Sequence, residues 1–251
     1  MKISIITVVW NNVKTIKDTI DSVLSQTYKN IEYIVIDGGS TDGTLSLLES
    51  RRDQLSALVS EPDEGIYDAM NKGIKLAKGD VIGFLNSDDF YLNDKVISKV
   101  ASEFERDIFL DASYANLIYV DQTNTSKIIR YFKTGEFKQG LFLKGWCPAH
   151  PTFFVRKSVY ERNGNFDLNY HFASDVELMM RFLEIHKIKS LYIPEVMVKM
   201  RMGGVSNRNL KNIWLANKEI INSFHKNGLQ VNSIIFFIYK IISRLKQYIK
   251  K

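Results

Sequence analysis

Cysteine is almost missing from the 251 residues: Cys147 stands alone. No intrachain disulfide can form, and the chain suits a reducing compartment. A small packed side chain is the plain reading of that thiol. No apolar run is long enough to span a membrane, and the longest in the C-terminal tail, Ile234 to Tyr239, is far too short. The apolar stretch Ile3 to Trp10 is also short and leads straight into a helix pattern, unlike a signal peptide. Internal repeats and low-complexity linkers are missing, and so are the G-x-G-x-x-G fingerprint and the P-loop of two common nucleotide sites. Acid is missing from the end of the chain. After Glu219 there are six bases, Lys226, Lys240, Arg244, Lys246, Lys250 and Lys251, and no carboxylate. Without those six, 28 bases face 28 acids, so the net charge of +6 belongs to the tail. A nucleic-acid footprint over the main body is thereby disfavoured.

What is present reads as one large α/β domain with an appendage. Lys2 to Val9 reads as a buried strand, with Asn11 or Asn12 as cap of a helix that runs to about Gln26. Ile31 to Ile36 is a second strand, and Ala57 to Ser60 a short third. Asp37-Gly38-Gly39-Ser40-Thr41-Asp42-Gly43-Thr44 closes the second strand, with glycines that allow a ligand to approach the backbone and with Ser40, Thr41 or Asp42 as helix cap. The alternation implies a parallel sheet with right-handed crossovers. A helix with Ile66, Met70, Ile74 and Ala77 on its apolar face follows. Asp63 and Glu64 suit its positive N-terminal end, whereas Asp68, Asn71 and Lys72 are polar groups close to the strand ends. Gly79 to Leu85 then forms a mostly apolar strand that ends in Asn86, Ser87, Asp88 and Asp89. Ligands of open α/β sheets bind beyond the carboxyl ends of strands. Two adjacent carboxylates there are costly unless a cation neutralises them, and a hard divalent metal carrying a substrate phosphate does so. The plain alternative is a solvated loop or a helix cap.

The segments Ile5 to Asn11, Asp37 to Thr44, Asn71 to Ile74, Ala77 to Asp80 and Leu85 to Asp89 together resemble family 2 glycosyltransferases, in order and spacing, over about the first 90 residues. The resemblance implies a GT-A fold, inversion at the sugar carbon and a nucleotide-sugar donor, here UDP-linked. Glu61 to Gly73 most resembles bacterial members that build O-antigen, capsule or exopolysaccharide. It sets Val8, Trp10 and Asp37 at the nucleotide, with Trp10 against the base and Asp37 accepting the uracil N–H. Asp68, Asn71 and Ser87 fall in the same donor region. Asp88 matches the metal-binding acid of the D-x-D motif, for Mn²⁺ or Mg²⁺. Asn86 stands where the family usually has Asp; it carries no charge, which gives Asp89 more weight as a metal ligand.

The second half is less regular. Lys95 to Glu105 reads as a helix, Leu117 to Val120 and Lys127 to Phe132 as strands, and Trp146 to Arg156 as a loop leading into a strand. His150 on that loop is a candidate for acceptor or pyrophosphate contact, or simply structural. Ser174 can cap a helix with Asp175 in its first turn, where the dipole favours negative charge, and with Leu178, Met179 and Phe182 packing on the sheet. The family places its catalytic base at Asp175, which implies removal of the acceptor proton there; Glu177 is the lesser candidate. Val198 to Asn207, with a glycine pair, reads either as a plain connection or as a loop that closes over the diphosphate with Arg201 on a phosphate oxygen. In the tail, Ile234, Ile238, Ile241, Ile242, Leu245 and Ile249 share one helical face, opposite Lys240, Arg244, Gln247 and Lys251. That is the pattern of a helix lying in an anionic membrane interface, or packing on the domain or on another subunit.

The expectation is therefore a transferase domain over 1–206, with a nucleotide-sugar half at 1–90 and an acceptor half at 91–206, followed by C-terminal helices at 207–251. The protein would be cytoplasmic, peripheral to the inner face of the membrane, and would act on a lipid-linked saccharide. The rivals are a non-catalytic nucleotide-sugar-binding scaffold and a nucleotidyltransferase. The latter should show a glycine- and lysine-rich first loop, which Val8 to Lys14 lacks.

Overall fold

A computed structural model describes residues 1–203 and 210–249. The expected 206/207 boundary, most of the anticipated glycine loop, and Lys250 and Lys251 lie outside the described residues. Nine strands form one curled, mixed sheet flanked by helices. They are β1 (Ile3–Val9), β2 (Ile31–Asp37), β3 (Ala57–Ser60), β4 (Val81–Phe84), β5 (Phe90–Tyr91), β6 (Ala112–Val120), β7 (Ile128–Phe132), β8 (Phe154–Arg156) and β9 (Ser190–Arg201). Their order is β3-β2-β1-β4-β8-β6-β9-β5, with β7 paired to β6. The β3-β2-β1-β4 half is parallel, as the strand–helix alternation predicts, and β6–β9 adds a long parallel ladder; β8, β5 and β7 join antiparallel.

β1 is buried along its whole length because both faces of the sheet are covered. Ile3, Ile5 and Val9 meet α1 (Ile16–Leu24) and α4 (Val96–Arg106) through Ile16, Ile20, Val100 and Phe104. Ile6 and Val8 face the other core, with Met70 and Ile74 of α3 (Ile66–Leu76) and Leu178, Met179 and Phe182 of α6 (Ser174–Met180) and its continuation. Ile220 of α7 (Leu210–Lys226) and Phe236 of α8 (Ser233–Ile249) reach the same core. The remaining helices are α2 (Thr44–Glu49) and α5 (Lys157–Asn163).

Several local expectations change. Neither Asn11 nor Asn12 caps the first helix. Asn11 takes a left-handed φ of 48° and Asn12 begins a turn, so α1 starts four residues later. Ile66 is exposed, and Tyr67 takes the buried place in the first turn of α3. Ser174 does not cap α6 but donates to the Asp167 carbonyl. The strand at Leu117 begins at Ala112, and Val198 to Arg201 ends strand β9 rather than forming a loop. β9 hides in the sequence because Pro194 and Glu195 drop out of its pairing: Ile193 faces Ala115 while Val196 already faces Asn116. That bulge breaks the period of two on which a strand is recognised.

Candidate active site

The carboxyl ends of β1, β2 and β4 lie side by side, with Val9 opposite Asp37 and the Leu85 N–H on the Ile6 carbonyl. Beyond them the loops are tied together. The Asn11 N–H donates to Ser40 Oγ and the Thr41 N–H to Asn11 Oδ1, each at 2.8 Å, while Asn12 Nδ2 reaches Ser87 Oγ at 2.9 Å. Ser87 is thus part of the frame that holds the β4 loop. Val8 buries its side chain in the core, so only its backbone is placed to meet a ligand.

Asp37 is fully buried, and its two oxygens differ. Oδ2 accepts from the Ser40 N–H (3.0 Å) and from Ser60 Oγ (2.6 Å), while Oδ1 has no partner among the described residues. An unpaired buried acceptor is costly and points to a donor supplied from outside. Beside it Trp10 is 68% exposed. A Cβ on Gly38 would run into Asp63 Oδ2 and lie 3.5 Å from the Trp10 ring. Glycine there lets the Asp63 carboxylate and the edge of the Trp10 ring come close to the backbone next to Asp37. Asp63, given only a helix-dipole role by its position in the chain, thus also lies at this strand end.

At the end of β4, Asp88 is half-buried and Asp89 is completely buried. Burial raises the Asp88 carboxyl above its ordinary range, against the nearby Arg201. Burial, and next the charge of Asp88, push Asp89 up much further. Asn86 Nδ2 lies 3.3 Å from Asp89 Oδ2, and among the described residues Asn86 Oδ1 and Asp89 Oδ1 have no partner. Two acids that resist ionising and two orphaned oxygens fit a cation, which would relieve all of them. Among the described residues no three His, Cys, Asp or Glu side chains group around one point. A metal here would depend on Asp88, with Asn86 or Asp89 behind it and phosphate oxygens completing its shell. Arg201 is placed otherwise than expected. It is buried over the Phe90 ring (4.9 Å), donates to the Asp88 carbonyl at 2.7 Å and pairs with Asp18. Two of its nitrogens are thus engaged by the chain, where they hold the Asp88 loop, and its Nε has no partner among the described residues.

Asp68 and Asn71 are also turned to structural work. Both ends of the Asn71 amide pair with the Phe166 backbone (2.9 and 3.0 Å). Asp68 takes the Glu64 N–H and Lys72, which also reaches Glu61. Both line a separate groove of about 580 Å³ between α3 and α5.

Asp175 stands half-exposed at the start of α6, and Tyr67 Oη donates to its Oδ1 at 3.0 Å. Oδ2 has no partner among the described residues. Burial raises the Tyr67 hydroxyl well above its ordinary range, and Asp175 adds to this, so the phenol stays a donor. His150 stacks on Phe84 (5.5 Å) and meets the Phe166 ring edge-on (5.7 Å). Burial holds it toward the neutral form, against Asp175. This aromatic cluster links β4, whose loop carries Asp88, to the neighbourhood of Asp175. Glu177 is buried in an ion pair with Arg181, which removes it as a base. Tyr67 gave no signal in the sequence beyond a polar atom on a buried helical position.

A curled, largely parallel sheet flanked by helices, with acids beyond its strand ends, is the architecture of the GT-A fold. The family model described as glycosyl transferase family 2 matches residues 4–164, and the chain belongs to that family. Its relatives include a PGL/p-HBAD biosynthesis glycosyltransferase of Mycobacterium bovis, 28% identical over 75% of this chain and 72% of that one. An uncharacterised glycosyltransferase of Mycobacterium tuberculosis is 31% identical over 71% of this chain and 68% of its own. Among solved structures, Staphylococcus aureus TarS 1–349 in complex with UDP-GlcNAc superposes with a TM-score of 0.68, at 17% identity over 98% of this chain and 73% of that one. The mannosyltransferase PcManGT of Pyrobaculum calidifontis, in complex with GDP-Man and Mn²⁺, gives 0.66 at 16% identity, over 98% and 69%. At these identities the two structures share the fold.

Proposed function

We propose that this glycosyltransferase moves a hexose or N-acetylhexosamine from a UDP-sugar to a saccharide hydroxyl, with inversion, in the synthesis of a bacterial surface polysaccharide on a lipid-linked acceptor. The observation that carries the reading is the separation of roles between carboxylates: Asp37 with a free buried oxygen, Asp88 in the strand-end loop, and Asp175 held by Tyr67 on the far side of the aromatic cluster. Uracil offers an N–H that Asp37 Oδ1 can accept, and its ring fits against Trp10. The occurrence of UDP-GlcNAc on TarS and of GDP-Man with Mn²⁺ on PcManGT supports a nucleotide-sugar donor and a divalent metal. Asp175 takes the acceptor O–H proton while that oxygen bonds to the anomeric carbon and the bond to the diphosphate breaks; one displacement inverts the centre. A Mg²⁺ or Mn²⁺ ion held by Asp88, with Asn86 or Asp89, would neutralise the charge that grows on the departing diphosphate.

No helix among the described residues is long and apolar enough to cross a membrane. The tail is proposed to lie on the anionic inner face instead, because the apolar stripe of α8 is left uncovered: Ile234, Ile238, Ile241 and Leu245 are all exposed.

The test is donor hydrolysis. Protein is mixed with a panel of UDP-, GDP- and dTDP-sugars, with Mn²⁺ or with EDTA, and released nucleoside diphosphate is measured. Metal-dependent release from a UDP-sugar, abolished by Asp88→Ala, is expected. Silence across the panel, with no donor-induced rise in melting temperature, would favour a non-catalytic scaffold of the same fold.

A further inference from the structure

The segment that delivers Asp175 is held from outside the family-matched residues. Its last three residues before α6 point their amides at one side chain: the His171 N–H donates to Glu219 Oε1 (3.1 Å), and the Phe172 and Ala173 N–H groups to Glu219 Oε2 (2.8 and 3.0 Å). Three successive N–H groups on one carboxylate form a charge-assisted nest, stronger and more directional than neutral pairing. Glu219 sits on α7, whereas the family model ends at residue 164. The end of the same helix and the residue after it add two more ties. Lys226 pairs with Asp167, whose carbonyl takes the Ser174 hydroxyl, and Asn227 Nδ2 reaches Glu177 Oε1 of α6 at 3.2 Å. Tyr67 then fixes the carboxylate of Asp175 from the opposite side.

We infer that Glu219 is a positioning residue for the base, so that α7 completes the active site. This rests on reading Asp175 as the base. A base must sit within hydrogen-bond reach of the proton it takes, and an error of one ångström in such placement costs up to about 100-fold. Asp175 lies two residues beyond the nest, and α6 has only seven residues with no side-chain cap of its own. The carboxylate of Glu219 holds the three residues that lead into α6 from another element. Glu219 is also the last acid before the basic tail.

The test uses full-length protein and the nucleotide sugar of the panel that wild type turns over. Glu219→Gln keeps one acceptor oxygen but sets an amide donor against the N–H groups. A kcat lower by on the order of 10-fold is expected, with donor KM and donor-induced melting shift unchanged. In the Asp175→Asn background the same change should cost nothing further, since nothing is left to position. A kcat equal to wild type overturns the inference, and so does an equal fractional loss in both backgrounds, which marks a purely structural brace. Should Glu219→Gln fail to fold, Glu219→Asp retains the charge on a shorter arm. It should lower kcat alone, and an unchanged kcat overturns the role. A wild type that is silent across the panel and shows no donor-induced melting shift overturns the transferase reading and this role with it; an active wild type with an indifferent Glu219 overturns this role alone.

Discussion

Asp37 shows how far one side chain constrains chemistry. Its Oδ2 is satisfied by Ser40 and Ser60, and among the described residues Oδ1 has no partner, so under the proposed function Oδ1 is the oxygen that meets the base. Asp37→Asn therefore has a directional consequence. The amide must keep its oxygen toward the two serine donors, which places its NH₂ where the carboxylate oxygen was. Two donors, the amide and the base N–H, then face each other. The variant should fold normally and show a donor KM raised by on the order of 10-fold or more, with kcat little changed; steady-state kinetics over donor concentration checks it, and an unchanged KM would remove Asp37 from the nucleotide site. The place of Asp37 at a strand end next to glycines was legible in the chain, because a buried apolar run that stops at an acid and two glycines marks the end of a strand. Asp68 and Asn71 were not, since spacing gives position but not partner, and their partners are Lys72 and the Phe166 backbone. Tyr67 and Asp175 are 108 residues apart, beyond the reach of any local pattern.

At the scale of elements, buried parallel strands announce themselves as unbroken apolar runs, and β1, β2 and β3 fall within a residue or two of where they were expected. β9 and the start of β6 escaped because a proline and a bulge interrupt their pairing. Helix α8 is amphipathic as expected, with its apolar stripe uncovered and part of its polar face against the domain. Lys240 and Gln247, from the polar face, pack inward with Phe236: Lys240 donates to Asn217 Oδ1 and runs against Gly145, and Gln247 meets Arg130. Burial lowers the Lys240 ammonium from 10.5 to about 8, with Arg244 adding to this and Cys147 and Asp175 opposing it. The sign of the linkage follows. Between about 8 and 10.5 the unfolded chain holds a proton that the folded chain releases, so this group makes folding more favourable as pH rises through that window. Below it the cost of a buried charge is fully present. Lys240→Met should thus be more stable than wild type at neutral pH, and the gap should close toward pH 10 or so. Denaturant melts of both proteins across the window decide it, and a gap independent of pH would show that Lys240 is not held in a desolvated position.

Over the whole molecule, the charge asymmetry of the sequence acquires a geometry. Asp37 and Asp88 lie beyond the strand ends, and Lys226, Lys240, Arg244 and Lys246 sit on the helical pair whose Glu219 holds the segment before α6. An ordinary surface helix hides its apolar stripe, whereas α8 hides part of its polar face and leaves Ile241 and Leu245 61% and 59% exposed beside Arg244 and Lys246. Such a stripe rimmed by cations matches a bilayer whose headgroups are anionic and whose acyl boundary is apolar. Docked in that way, α8 would hold α7 and the base segment near the membrane plane, where a lipid-linked acceptor presents its sugar. The full-length protein is therefore expected to sediment with vesicles of mixed phosphatidylglycerol and phosphatidylcholine, and less so in high salt, which screens the cationic rim. Ile241→Asp combined with Leu245→Asp should abolish that binding while leaving donor hydrolysis intact, because neither side chain touches the strand-end site. If the double variant still sediments with the vesicles, the stripe is not the membrane contact. If wild type instead doubles in mass and the variant is monomeric, the stripe joins two copies of the chain.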